Sequence, residues 1–172
     1  MFWSWCFFQR CPRVKLVDVV GIDENPVWSA LYSKLHGPTA KFIHGDINST
    51  STLKQLAEAG FFHCVALAGV HCQPFSRMGD QKGMQDVRST SLPKALSTCW
   101  LLQAVVIAIE CVPGVMQDAG FQGALRHFTS LTGYKLSQVV LSLQDSWCSR
   151  RDRWFGVLVA PIMSPLQIPP MP

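Results

Sequence analysis

No apolar run in the sequence reaches the ~18 residues needed to cross a bilayer, which argues against a membrane span. No Cys-x-x-Cys pair occurs, and the seven cysteines (positions 6, 11, 64, 72, 99, 111 and 148) are odd in number. That pattern disfavours both a disulfide scaffold and a zinc ribbon. Free thiols in a reducing compartment are the simpler reading. Charged residues are scarce at 15%, yet hydrophobic residues make up 48%, far from the composition of a disordered chain. Fifteen Lys+Arg against eleven Asp+Glu leave a net charge of +4, compatible with a polyanionic partner without specifying one. The 172 residues suit one domain with a sizeable core and are short for two. There is no internal repeat.

The N-terminal stretch 1–8 (MFWSWCFF) is very apolar, with Arg10, Arg13 and Lys15 after it. A secretory signal has the reverse order. The readings left open are a weak anchor, a buried strand and a mis-started reading frame. At the other end, 161–172 holds five prolines, a loop or linker composition.

Between these flanks, β-branched runs alternate with helix-like segments. Strands are expected over 14–22, 41–43, 61–68, 105–110, 134–143 and 154–160. Helices are expected over 27–35, 52–59, 92–104 and 117–131. Ser49, Thr50 and Ser51 are candidate N-caps for the second helix, and Gly60 and Gly133 are expected to end the second and fourth. Residues 69–88 read as a long polar loop. The alternation implies βαβ units, a mostly parallel sheet and helices on both faces. In such sheets ligands bind beyond the carboxyl ends of strands. The residues so placed are Asp23-Glu24, Gly45-Asp46, the stretch 69–76 and Glu110.

The segment Gly69-Val70-His71-Cys72-Gln73-Pro74-Phe75-Ser76 follows a strand and opens a loop. It resembles the nucleophile loop of the DNA (cytosine-5)-methyltransferases, with His71 where that family has Pro. Five further segments resemble the family's motifs, in its order and at its approximate spacing over residues 14–160. Ile22-Asp23-Glu24-Asn25-Pro26 resembles the segment whose acidic residue binds the cofactor ribose. Gly45-Asp46-Ile47 resembles the adenine-binding turn. Asp86-Val87-Arg88 falls where the family has an Arg-containing loop. Ile109-Glu110-Cys111-Val112 resembles Glu-Asn-Val, with Cys111 for Asn. Ser149-Arg150-Arg151-Asp152-Arg153 resembles Gln-x-Arg-x-Arg, with Ser149 for Gln.

The resemblance implies an α/β fold, the Rossmann-like core of an S-adenosylmethionine-dependent methyltransferase, incomplete at both ends. It divides the chain into an apolar segment (1–13), a partial catalytic domain (14–160) and the Pro-rich tail. It implies methyl transfer from S-adenosyl-L-methionine to C5 of cytosine in DNA. Cys72 would add to C6, Glu110 would contact the N3 edge, and Arg151 and Arg153 would stabilise the base or its phosphate. Glu24, Asp46 and Ile47 would bind the cofactor. DNA is the implied partner, and a nuclear location would follow from that substrate in a eukaryote.

Departures from the family pattern support a second expectation, a truncated relative without turnover that at most binds nucleic acid or a protein partner. The family's Phe-x-Gly-x-Gly loop has no counterpart, because no glycine precedes Gly21. A missing central strand would leave the edges of 14–22 and 105–109 unpaired, to be filled by residues 1–8 or to cause poor solubility. Simpler alternatives stand beside each site residue. Cys72 could be a structural thiol, Glu24 and Asp46 helix-terminal carboxylates, Glu110 a solvated loop carboxylate, and the arginines a solvated face. His63-Cys64 and His71-Cys72 could suggest a metal site. Alternation along a strand separates the members of the first pair, so no metal is expected.

Overall fold

The computed structural model describes residues 20–37, 40–47, 49–60, 62–142 and 152–161. Its contacts divide the chain into two compact units, Met1–Phe62 and His63–Pro172.

The first unit is a βαβα segment. Strand β1 (Val20–Asp23) leads through Pro26 into helix α1 (Val27–His36), and β2 (Lys41–His44) leads into α2 (Thr50–Glu58). Positions 14–19 of the expected first strand lie outside the described residues. The two strands are parallel, in register from Val20↔Lys41 to Asp23↔His44. Tyr32 of α1 is buried and packs its ring 5.6 Å from that of Phe42 on β2. Ser49 caps α2 as its side chain predicts: its hydroxyl accepts the Thr52 N–H at 3.1 Å.

The second unit contains β3 (Val65–Gly69), α3 (Ser91–Leu101), β4 (Val106–Cys111), α4 (Ala119–Thr132), β5 (Lys135–Ser142) and β6 (Asp152–Val159). Its sheet has the order β3-β4-β6-β5. The expected polar loop 69–88 is organised into three short 3₁₀ turns, Gln73–Phe75, Gly83–Gln85 and Val87–Thr90. Asp118 caps α4 through the Phe121 N–H at 2.7 Å. Gly133, at φ +76°, ends that helix in the left-handed conformation that glycine adopts without steric cost.

The period of two along the strands decides which residues are core. On β4, Ile107, Ile109 and Cys111 are buried, and they face Leu158, Gly156 and Trp154 of β6 in register. Leu92, Leu96 and Cys99 of α3 join the same cluster, as do Phe121 and Leu125 of α4. The rings of Phe75, Phe121 and Trp154 form a chain of edge-on contacts, with centroids 5.2 and 5.3 Å apart. The Trp154 indole N–H donates to Gln138 Oε1 at 3.1 Å, so this buried ring has a polar partner.

Three expectations are corrected. The second unit's sheet is only partly parallel: β3 and β4 are parallel, but β6 runs antiparallel to both β4 and β5. Parallel neighbours need a crossover of roughly a dozen residues or more. Only positions 143–151 separate β5 from β6. The strand expected over 61–68 starts at Val65, because His63 takes a left-handed conformation (φ +54°) and gives its N–H to the Leu102 carbonyl. Val65 and Leu67 on this strand are 46% and 45% exposed. Of the two edges expected to be unpaired, that of 105–109 is not, since β4 has a partner on each side, whereas β1, within 14–22, pairs only with β2 among the described residues. Among the described residues no strand pairs with the outer edge of β3. Residues 1–8 lie outside the described part.

Candidate active site

Cys72 is exposed and sits three residues beyond the end of β3. Gly69 pairs with Glu110 across the parallel ladder, and the Val70 N–H reaches the Glu110 carbonyl at 3.4 Å. The chain thus enters the Cys72 turn from beside Glu110. The turn closes as the Cys72 carbonyl accepts the Phe75 N–H at 3.0 Å. Pro74 and Phe75 are buried beneath it, while His71, Cys72 and Gln73 are exposed. Two glycines allow backbone to approach. A Cβ on Gly79 would lie 2.2 Å from the Gln73 carbonyl oxygen, and one on Gly114 would lie 2.3 Å from that of Phe75.

Glu110 alternates with the buried Ile109 and Cys111, so it leaves the sheet on the face away from the core. Arg153 alternates with buried Trp154 on β6 and takes the same face. The two meet as an ion pair, Arg153 Nε to Glu110 Oε1 at 2.6 Å. Both side chains are partly shielded, which reduces solvent screening of the pair. Cys111 lies beneath them in the core. Burial above all pushes its thiol up to about 12, against a lowering by the Val112 backbone and Arg153.

In the first unit, Glu24 and Asp46 follow the carboxyl ends of β1 and β2, and both are exposed. The Gly45 N–H donates to the Asp23 carbonyl at 3.1 Å, continuing the ladder past the strand ends and holding the two turns side by side. The His44 ring bonds the Glu24 carbonyl at 2.8 Å. The Asp23 carboxylate accepts the Asn25 N–H at 2.8 Å and caps the turn. Ile47 is partly buried beside Asp46. Two exposed carboxylates at adjacent parallel strand ends suit a ligand that presents hydroxyl and amino donors, as the ribose and adenine of S-adenosylmethionine do.

The structure thus brings Cys72, Glu110 and Arg153 to one rim of the second unit, and Glu24, Asp46 and Ile47 to one rim of the first. Arg151 lies outside the described residues. Among the described residues no cluster of His, Cys, Asp and Glu could hold a metal ion. The sequence reading gave no role to a clamp beside Cys72. Arg88 donates to Gln73 Oε1 at 2.6 Å, and to both Asp86 carboxylate oxygens at 2.9 and 2.6 Å. The signal was Asp86-x-Arg88, whose spacing suits a turn in which the acid caps the backbone.

The family model for C-5 cytosine-specific DNA methylases matches residues 11–161. The tRNA (cytosine(38)-C(5))-methyltransferase of Schizosaccharomyces pombe is 32% identical over 143 residues, covering 81% of this chain and 41% of the relative. The crystal structure of S. pombe Dnmt2 methyltransferase superposes with a TM-score of 0.67 at 27% identity, over 94% of this chain and 48% of that one. The Entamoeba histolytica methyltransferase EhMeth shares the fold, with a TM-score of 0.64 at 18% identity, over 87% of this chain and 47% of that one. The chain therefore spans a little under half the length of these proteins. Because the family model covers residues 11–161, most of its length, the chain belongs to the C-5 cytosine-specific DNA methylase family.

Proposed function

We propose that this chain transfers a methyl group from S-adenosyl-L-methionine to C5 of a cytosine in nucleic acid, with Cys72 as the nucleophile. The observation that supports this reading is the exposed Cys72 at a sheet rim, beside the Glu110–Arg153 pair.

C5 of cytosine is a poor nucleophile. The Cys72 thiol loses its proton and its sulfur bonds to C6, which shifts ring electrons toward C5. When bound, S-adenosyl-L-methionine supplies the electrophilic methyl group. After C5 is methylated, a solvent water takes the C5 proton, the electron pair of that C–H bond restores the ring double bond, and the Cys72–C6 bond breaks with its electrons returning to sulfur. Glu110 faces the N3 edge, where a proton neutralises charge that develops as Cys72 adds. Arg153 fixes the Glu110 carboxylate in place, and Arg151 would contact the base or its phosphate. Glu24, Asp46 and Ile47 hold the cofactor. A cytosine within a duplex must be flipped out to reach Cys72.

Two readings of the polymer follow. The family resemblance points to DNA. The S. pombe relative named as a tRNA (cytosine(38)-C(5))-methyltransferase favours tRNA, and it is the more specific comparison. The test is a covalent trap. The chain and S-adenosyl-L-methionine are incubated with a 5-fluorocytosine DNA duplex or a 5-fluorocytidine tRNA. Fluorine cannot leave C5 as a proton does, so the Cys72 adduct persists through denaturation. An adduct with one polymer only identifies the substrate. No adduct with either supports the alternative, a relative without turnover that only binds.

A further inference from the structure

Two different anchors flank Cys72. On the Phe75 side the anchor is the core: Phe75 is buried against Phe121, and Gly114 lets the neighbouring backbone close on it. On the Gln73 side the residues are exposed, and no apolar packing fixes them. What holds them is polar. The Arg88 guanidinium uses Nε and Nη2 on the two oxygens of Asp86, and turns Nη1 to Gln73 Oε1 at 2.6 Å. Asp86 is itself buried, and it also caps the turn through the Arg88 N–H at 2.9 Å. A planar fork held at two points on one side has its third donor aimed, because the guanidinium cannot rotate independently. Behind it, the Ser89 hydroxyl donates to the Gly83 carbonyl at 2.6 Å, tying the two 3₁₀ turns together.

We propose that Arg88 is a positioning residue for the nucleophile: held by Asp86, it grips Gln73 and so fixes the direction in which the adjacent Cys72 presents its sulfur. This rests on the reading of Cys72 as the nucleophile. Arg88 touches neither substrate nor cofactor in this role. Without the grip the backbone bonds of the turn remain, among them His71 N–H to Ser91 Oγ at 3.4 Å and Ser76 N–H to the Gln73 carbonyl at 3.3 Å, but the Gln73 side chain loses the contact that sets its direction next to Cys72. Misplacing a reacting atom by about 1 Å can cost on the order of a hundredfold in rate.

The test is a double-mutant cycle on the full chain with Arg88→Ala, Gln73→Ala and the pair, read in two ways. The first is the rate of adduct formation with the 5-fluoro substrates. The second is the rate of Cys72 alkylation by iodoacetamide from about pH 6 to about pH 10, followed by peptide mass spectrometry. Each single variant is expected to slow adduct formation about tenfold or more, and the pair to lose no more than either alone. Gln73→Glu keeps an acceptor for Arg88 and is expected to retain most of the rate. Arg88→Lys, with no fork to bridge two acceptors, is expected not to rescue it. The alkylation profile should change alike in both alanine variants, with the melting temperature unchanged in Gln73→Ala and lowered in Arg88→Ala, which leaves the buried Asp86 carboxylate without its partner.

Independent, multiplying losses would overturn the proposal. So would an Arg88→Ala effect confined to nucleic-acid affinity, which would make Arg88 a phosphate contact. Should Arg88→Ala fail to fold, Gln73→Ala and Arg88→Lys carry the same comparison. If the parent chain forms no adduct with either polymer, the nucleophile reading fails by itself, and the alkylation cycle still decides whether Arg88 and Gln73 act on Cys72 as one.

Discussion

Arg153 places its Nε 2.6 Å from Oε1 of Glu110, across two antiparallel strands and on the sheet face turned away from the core. The pair sits at the point where the Cys72 turn leaves the sheet, since Val70 bonds the Glu110 backbone. Changing either partner should act on the chemistry rather than on the fold. Glu110→Gln removes the group assigned to the N3 proton and is expected to lower methyl transfer about a hundredfold or more. Arg153→Ala frees the carboxylate from its fixed orientation and should lower the rate in the same direction. Initial rates with tritiated S-adenosyl-L-methionine, beside thermal melts, check this. Equal melts with unequal rates are the expected result.

Thiol reactivity should rank by exposure. Cys72 is exposed, Cys64 is half-buried and raised by burial, and Cys99 and Cys111 are buried with thiols pushed up to about 12. At neutral pH, brief iodoacetamide treatment is expected to label Cys72 first among these four. Cys99 and Cys111 should stay unmodified until the chain is unfolded. Peptide mass spectrometry of timed samples reads the order directly.

Asp86 predicts a pH effect on stability. The Arg88 side chain, above all, holds its carboxyl well below the usual carboxylate range; the Arg88 backbone N–H and the charge of Lys82 add to this. A group with a depressed folded pKa contributes stability that is full above its unfolded value, roughly pH 4. That stability is lost as pH falls toward the folded value. Asp86→Asn should therefore melt below the parent above about pH 5, and the gap should shrink with acid. A gap that widened below about pH 4 would contradict this sign.

Gly156 lies under the Trp154 ring. A Cβ there would come within 2.4 Å of the indole in a residue that is fully buried. Gly156→Ala is expected to destabilise by about 1–3 kcal/mol through overpacking, measured as a lower urea midpoint with an unchanged slope.

Much of this fold was legible because local chemistry carried it. Ser49 capped its helix, Gly133 ended another, and β1 and β2 stop just before Glu24 and Gly45-Asp46, whereas Glu110, expected beyond its strand, lies inside β4 one residue before its end. The misses share a cause: they depend on contacts distant in sequence. The apolar run around position 61 gives no hint that His63 turns left-handed to bond Leu102. The reversed direction of β6 is set by its connection to β5 and its pairing with β4, neither of which is written in the composition of the strand. At the site, residue types and order pointed to Cys72, Glu110 and Arg153. The Arg88–Gln73 bond spans fifteen positions and needs the folded turns to exist.

The most direct measurement is the fate of the Cys72 sulfur on a 5-fluoro substrate. The chain, S-adenosyl-L-methionine and the fluorinated DNA or tRNA should give a denaturation-resistant complex whose cross-linked peptide contains Cys72. Cys72→Ser should abolish it. A complex that survives Cys72→Ser, or none from the parent chain with either polymer, would contradict the assignment of Cys72 as the nucleophile.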